Sequence, residues 1–277
     1  MNIDCFQKLG LNDIRLIKDA GQKIVYSACL DNGTKVALKI IKPDQDIERI
    51  KREIEILKRC CAMGINTATI YSYDVVTCEN MEYFYIVEYF IEGTTLKDYI
   101  LANAPIDCKE VISFLNNMFA ILHILKQEQL IHRDIKPENI IRDGSGKYFL
   151  IDFGITKDLQ QMSLTNTSDA FGPCTIGYAP VEQMYNKKDD IGNHTDLFSI
   201  GVIAYEMLSG ENPFISEDDE RINVMRKIEK GNYKKIKTHQ YEGLNQLIYA
   251  CMNKHISRRP DVNLAIQLLL EIEKEVK

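Results

Sequence analysis

Residues 130–139 read L-I-H-R-D-I-K-P-E-N, and thirteen residues past Asn139 stands Asp152, followed by Phe153 and Gly154. A lone Asp or Lys on an unassigned loop is ordinarily a solvated surface group. Asp134, Lys136 and Asn139 in one short run, with Asp152 closing the strand-like stretch 148–151, form a different kind of set. Carboxylate and amide oxygens suit a hard divalent cation, and a carboxylate beside an ammonium suits proton transfer next to an anion. Two other motifs fail. Gly144-Ser145-Gly146-Lys147 lacks the first glycine and the final Ser/Thr of a phosphate-binding P-loop, since Ile141 and Tyr148 stand there, and it reads as a hairpin turn. The N-x-S/T matches at Asn166 and Asn193 carry no weight without a secretory start.

The elements that must position these groups fall into two kinds. Strand-like runs at 14–17, 23–30 and 34–41 surround the turn residues Asp31, Asn32 and Gly33. Asp44 or Asp46 then caps a helix with an apolar stripe of Ile47, Ile50, Ile54 and Leu57, and strands follow at 70–77 and 83–88. Gly93 marks a crossover. Beyond it Asp107 caps a long helix carrying Val111, Leu115, Met118, Leu122 and Leu125 on one face, and helices are predicted at 196–209, 221–230, 244–253 and 262–276. Strands first and helices after argue an α+β class with two lobes, 1–90 and 91–277, together one domain. Residues 156–173, rich in Ser, Thr, Asn and Asp, have no periodicity, as functional loops often do not.

The 277 residues are 45% apolar and 27% charged, the balance of a globular protein. No window approaches the apolar length of a bilayer span, and the first residues lack a secretory pattern, so a soluble cytoplasmic protein is expected. The 8 cysteines are scattered without C-x-x-C spacing and read as free thiols in a reducing compartment. A net charge of -6 argues against nucleic-acid partners, and nothing specifies an oligomer.

Six pieces occur in one order: Val36-Ala37-Leu38-Lys39, Glu53, His132-Arg133-Asp134, Asn139, Asp152-Phe153-Gly154 and Ala179-Pro180-Val181-Glu182. On these pieces the chain resembles the eukaryotic-type serine/threonine protein kinases, with residues 178–183 in the form common among bacterial members. The resemblance implies a bilobal fold, with a small β-rich N-lobe holding one regulatory helix and a larger helical C-lobe. It implies transfer of the γ-phosphoryl group of ATP, with Mg2+, to Ser or Thr hydroxyls of protein substrates. Asp134 then accepts the hydroxyl proton and Lys136 neutralises the transferring phosphate. Asn139 and Asp152 hold Mg2+. Lys39 holds the α and β phosphates and is fixed by Glu53, with Glu55 facing solvent. The D-x-K-x-x-N form, with Thr175 ahead of Ala179, resembles the Ser/Thr class.

By the same resemblance Val25 and Ala37 cover one face of the adenine and Ile141 the other. Residues 88–90, from Glu88 to Phe90, supply backbone groups to its edge, and Val87 guards the back of the pocket. His132 and Phe153 pack in the core with Leu57. Asp196 holds the backbone of the catalytic loop, and Glu182 pairs with Arg259. Arg133 makes Ser163, Thr165, Thr167 and Ser168 candidates for a regulatory phosphate.

The glycine-rich loop departs from the pattern, because Lys18, Ala20 and Lys23 stand where glycines are usual and only Gly21 remains. Lys18 and Lys23 read first as solvated lysines, whose long stems carry the charge outward, and the competing reading has Lys23 or Lys18 replace lost amide contacts with charge near the triphosphate. A pseudokinase is the alternative that this departure raises. A small-molecule kinase of the aminoglycoside-phosphotransferase type is the other, disfavoured by Lys136, Phe153-Gly154 and the 179–182 segment.

Overall fold

Five strands, among them 35–41 with its inward residues at period two, build an antiparallel sheet in the first unit of the chain. The computed structural model describes residues 4–20, 23–42, 45–152, 157–158, 174–236 and 242–276. It divides into two units, 1–92 and 93–277. In the first, α1 (Asp4–Gln7) leads into β1 (Leu11–Ala20), β2 (Lys23–Leu30) and β3 (Lys35–Ile41). After α2 (Ile47–Ala62) come β4 (Ile70–Cys78) and β5 (Met81–Tyr89), giving the order β1-β2-β3-β5-β4. Gly33, at φ +81° in the β2–β3 turn, takes the left-handed conformation that closes a three-residue hairpin loop, across whose base the Leu30 amide donates to the Thr34 carbonyl at 2.9 Å.

Each face of this sheet has its own core. Val36, Leu38 and Ile40 of β3 and Tyr83, Tyr85 and Val87 of β5 pack with Phe6 and Leu11. On the opposite face Ile54 of α2 packs with Ile41, Phe84 and Ile86. Lys39 pairs with Ile86 and Ala37 with Glu88 in the β3–β5 register, so all four belong to the α2 face.

One expectation about cysteine is corrected here. Cys5 and Cys78 form a disulfide between α1 and the end of β4. Their separation of 73 residues hides the pairing from any spacing motif, and only the docking of α1 on the sheet brings them together. The other six cysteines form no disulfide. Closing so long a loop restricts the unfolded chain, so Cys78→Ser is expected to lower the unfolding free energy by about 2–4 kcal/mol. Thermal unfolding with and without reductant checks this; equal midpoints would mean that the bond contributes nothing.

In the second unit β6 (Gly93–Thr95) precedes α3 (Leu96–Asn103), and α4 (Cys108–Gln127) leads to β7 (Leu130–Ile131). Then come β8 (Ile140–Asp143), β9 (Tyr148–Leu150), β10 (Lys157–Asp158), α5 (Val181–Met184) and α6 (Asn193–Ser209). The chain ends in α7 (Arg221–Lys230), α8 (Glu242–Cys251) and α9 (Val262–Val276). Asp107 caps α4 by accepting the amide of Lys109 at 2.8 Å, as predicted. Helix α4 is long and apolar enough to cross a membrane by length and composition, but Phe114, Met118, Phe119, Leu122 and Leu125 on it are fully buried within the unit. It is a core helix. Helix α6 is apolar on nearly all sides, as a helix through the middle of a core must be. Gly93 is needed for close approach, since a Cβ there would collide with the carbonyl of Arg142 on the paired strand β8.

Candidate active site

The second unit holds the 130–139 run from beneath. Asp196, fully buried in the first turns of α6, accepts the amides of His132 and Arg133, each at 2.7 Å. Gln183 of α5 donates to the carbonyl of Arg133 at 2.5 Å. These bonds pin Arg133 in the left-handed region, at φ +68°, where a side chain is unfavourable unless its surroundings over-determine it. The next residue, Asp134, is thereby turned out of the loop. Gln183 was not expected from the sequence; its place next to Glu182 was the signal.

Around Asp134 the expected groups converge. Its Oδ2 lies 2.8 Å from the Lys136 ammonium and accepts from Asn139 Nδ2 at 3.0 Å, and its Oδ1 accepts the Thr175 hydroxyl at 2.7 Å. Lys136 also donates to the Thr175 hydroxyl at 3.0 Å. Asn139 Nδ2 bonds the Asp134 carbonyl as well, which fixes its amide plane and leaves Oδ1 on the far side as a hard oxygen donor. Asp152 stands two residues past the end of β9 and has φ +67°, a second backbone held in the left-handed region. An amide oxygen and a carboxylate are the donor set that Mg2+ takes when phosphates and water complete its shell, so Asn139 and Asp152 fit that ion. Phe153, Gly154, Ser163, Thr165, Thr167 and Ser168 lie outside the described residues, as does Gly21.

One buried ion pair braces the loop, which also buries a cation of its own. Arg259 is fork-bonded to Glu182, Nη1 to Oε1 at 2.6 Å and Nη2 to Oε2 at 3.2 Å, so the pair expected from the sequence forms. The Arg133 guanidinium is buried, and among the described residues none of its nitrogens makes a hydrogen bond. Burial lowers its pKa, partly offset by the nearby Asp196 and Cys174. His132, wholly buried as predicted, has its pKa driven down to about 4 by desolvation.

Burial pushes Asp196 up to about 6, against the two amides and Arg133, which favour its charged form. A carboxylate raised in the folded state adds stability that is complete below about pH 3.9 and lost as pH rises through 6. His132 acts oppositely, because its depressed pKa removes stability as pH falls from 6.5 towards 4. In Asp196→Asn only the first contribution disappears. The wild-type melting temperature is therefore expected to fall relative to the variant's between pH 4 and 7; a constant difference across that range would refute the assignment.

In the first unit Val25 of β2 pairs with Lys39, so Val25, Ala37 and Lys39 share one face, as the expected adenine-covering set requires. Ile141 lies on β8, in the second unit. Glu53 is half-buried on α2, and Glu55 faces solvent beside Lys58 at 3.0 Å. Lys18 is exposed and Lys23 half-buried at the ends of β1 and β2.

The 87–90 segment differs from expectation by one residue in facing. Strand alternation turns Val87 into the Phe6 core, 2% exposed, and not toward the Lys39 face. Glu88 takes that face instead, with a carboxylate oxygen 2.5 Å from the Lys39 ammonium. Glu88 is also flanked by Ala37 and Ile70 within the sheet, while the amides of Tyr89 and Phe90 donate to Thr69 and Lys35 carbonyls at 2.7 and 3.4 Å. These two amides belong to the 88–90 segment whose backbone groups the resemblance assigns to the adenine edge, and both are engaged inside the unit.

A family model for the protein kinase domain matches residues 21–269. The chain is 33% identical over 217 residues to the serine/threonine-protein kinase PrkC of Bacillus subtilis (strain 168), covering 74% of this chain and 31% of that protein. It is 37% identical over 217 residues to the probable serine/threonine-protein kinase PknB of Lactococcus lactis subsp. lactis (strain IL1403), covering 75% of this chain and 33% of that one. A probable serine/threonine-protein kinase of Clostridium perfringens (strain 13 / Type A) is 29% identical over 264 residues, covering 94% and 37%. The chain spans about a third of the length of these relatives.

Proposed function

Because the chain belongs to the protein kinase domain family, we propose that it transfers the γ-phosphoryl group of Mg·ATP to Ser and Thr hydroxyls of protein substrates. The observation that carries this reading is the Asp134–Lys136–Thr175 cluster. Asp134 Oδ1 already accepts a hydroxyl hydrogen bond, from Thr175, and an incoming substrate hydroxyl needs the same geometry to be aimed and relieved of its proton. Asn139 and Lys136 fix the other oxygen, so the carboxylate cannot rotate away. Lys136, within reach of the same hydroxyl, places positive charge where the transferring group gains negative charge. Asn139 and Asp152 would hold Mg2+, which supplies neutralisation of the phosphate oxygens. Lys39 would hold the phosphates from the sheet.

Regulation belongs to the same proposal. The buried guanidinium of Arg133, without a hydrogen bond among the described residues, supports capture of a phosphate on Ser163, Thr165, Thr167 or Ser168, placed there by the enzyme itself, since arginine binds phosphate through paired charge-assisted bonds. Incubation with γ-labelled ATP and a generic protein substrate tests both parts. Label on substrate Ser or Thr, and mass-spectrometric phosphate within 163–168, are expected. Nucleotide binding without any transfer would favour a pseudokinase, and transfer to sugars alone a small-molecule kinase.

A further inference from the structure

The face of the first sheet that carries Lys39 also carries a carboxylate no motif provides for. Glu88 is 3% exposed and sits on β5, adjacent to β3, two residues past the direct partner of Lys39. That diagonal separates Cβ atoms by roughly 7 Å, which a lysine and a glutamate span with ease. The two heads meet at 2.5 Å, with side chains only 11% and 5% exposed. An apolar pair of similar volume would generally serve stability as well or better than a buried ion pair. The strand around Glu88 is otherwise apolar inward, as Phe84 and Ile86 show on the same face. A charge retained there points to a task for the ammonium it holds.

We propose that Glu88 is a positioning residue of the phosphoryl-transfer site, holding the Lys39 ammonium at the place where it meets nucleotide phosphate. This rests on the kinase reading above and deepens it. Lys39 and Glu88 stand on hydrogen-bonded strands of one sheet, so their spacing is set by backbone register. A lysine stem with four rotatable bonds is thereby confined without reliance on the position of α2. Glu53, on that helix, remains a second carboxylate available to the same lysine, whereas Glu88 gives an anchor built into the sheet.

The test uses the whole chain and compares binding of ATP with binding of adenosine, which has no phosphate for Lys39 to hold. Glu88→Gln keeps the shape and removes the charge. It is expected to weaken ATP at least tenfold and raise the KM for ATP to match, while adenosine affinity and the KM for protein substrate stay within twofold. In a Lys39→Met background the same change is expected to add no further loss for ATP. Should Glu88→Gln melt more than a few degrees below wild type, Glu88→Asp carries the comparison, since it keeps the charge but retracts it by one methylene. An intermediate loss confined to ATP is expected of it. Unchanged ATP affinity, a parallel loss of adenosine, or additive losses in the double variant would each overturn the role of Glu88. Wild-type protein that fails to bind ATP would instead overturn the kinase reading beneath it.

Discussion

Asp134→Asn is expected to lower kcat by about 10²–10⁴-fold, the range that a positioned general base contributes, while leaving ATP affinity and melting temperature near wild type. The surroundings of Asp134 make this substitution unusually clean. On one side its Oδ2 faces, among the described residues, the donors Lys136 ammonium and Asn139 Nδ2. On the other its Oδ1 faces the Thr175 hydroxyl, which can donate or accept. An asparagine therefore settles with its oxygen toward Lys136 and Asn139 and its amide toward Thr175, and every bond survives in one direction or the other. Only proton acceptance is lost. Single-turnover phosphate transfer, measured beside equilibrium ATP binding, separates the two. A variant that retains more than about a tenth of wild-type turnover would remove Asp134 from the chemistry.

The positions that the sequence made legible are those whose spacing is local. Asp134, Lys136 and Asn139 share one turn of chain, and the 3-10 turn Pro137–Asn139 folds Asn139 back onto Asp134, so proximity in sequence became proximity in space. Strands such as 34–41 and the helices at 221–230 and 262–276 were readable because two-residue and 3.6-residue periods are written into single segments. What was not legible depended on facing or on distance. Whether Val87 or Glu88 shares a face with Lys39 turns on one residue of strand register, and a hydrophobic run such as 83–87 gives no alternation from which to count. The Cys5–Cys78 bond depends on where a four-residue helix docks. Helix α3 went unread although Thr95 caps it, accepting the amide of Asp98 at 3.1 Å. The T-x-x-D spacing was the signal present.

Arg259→Ala is expected to cost about 3–5 kcal/mol of stability, because it strands the Glu182 carboxylate in a place without water. Glu182 is 3% exposed, and beyond Arg259 its Oε1 has the Thr195 hydroxyl at 3.3 Å and the His194 ring at 4.0 Å, neither a substitute for a bidentate guanidinium. Arg259 does more than neutralise: it donates to the carbonyls of Asn253 and His194 at 2.6 and 3.1 Å and lies over the Phe198 ring, so three segments part when it is truncated. The loss should pass to catalysis by a short route. Glu182 and Gln183 are neighbours in α5, and Gln183 holds the Arg133 carbonyl that sets the pose of Asp134. Denaturant unfolding measures the first effect, and kcat at a temperature where the variant remains folded measures the second, with a fall expected in both. Replacing both partners by leucine removes the stranded charge and is expected to recover much of the stability while leaving kcat depressed, since apolar contact cannot reproduce the bonds to Asn253 and His194. A single Arg259→Ala variant as stable as wild type would show instead that water reaches Glu182, and that the pair is not the brace of this segment.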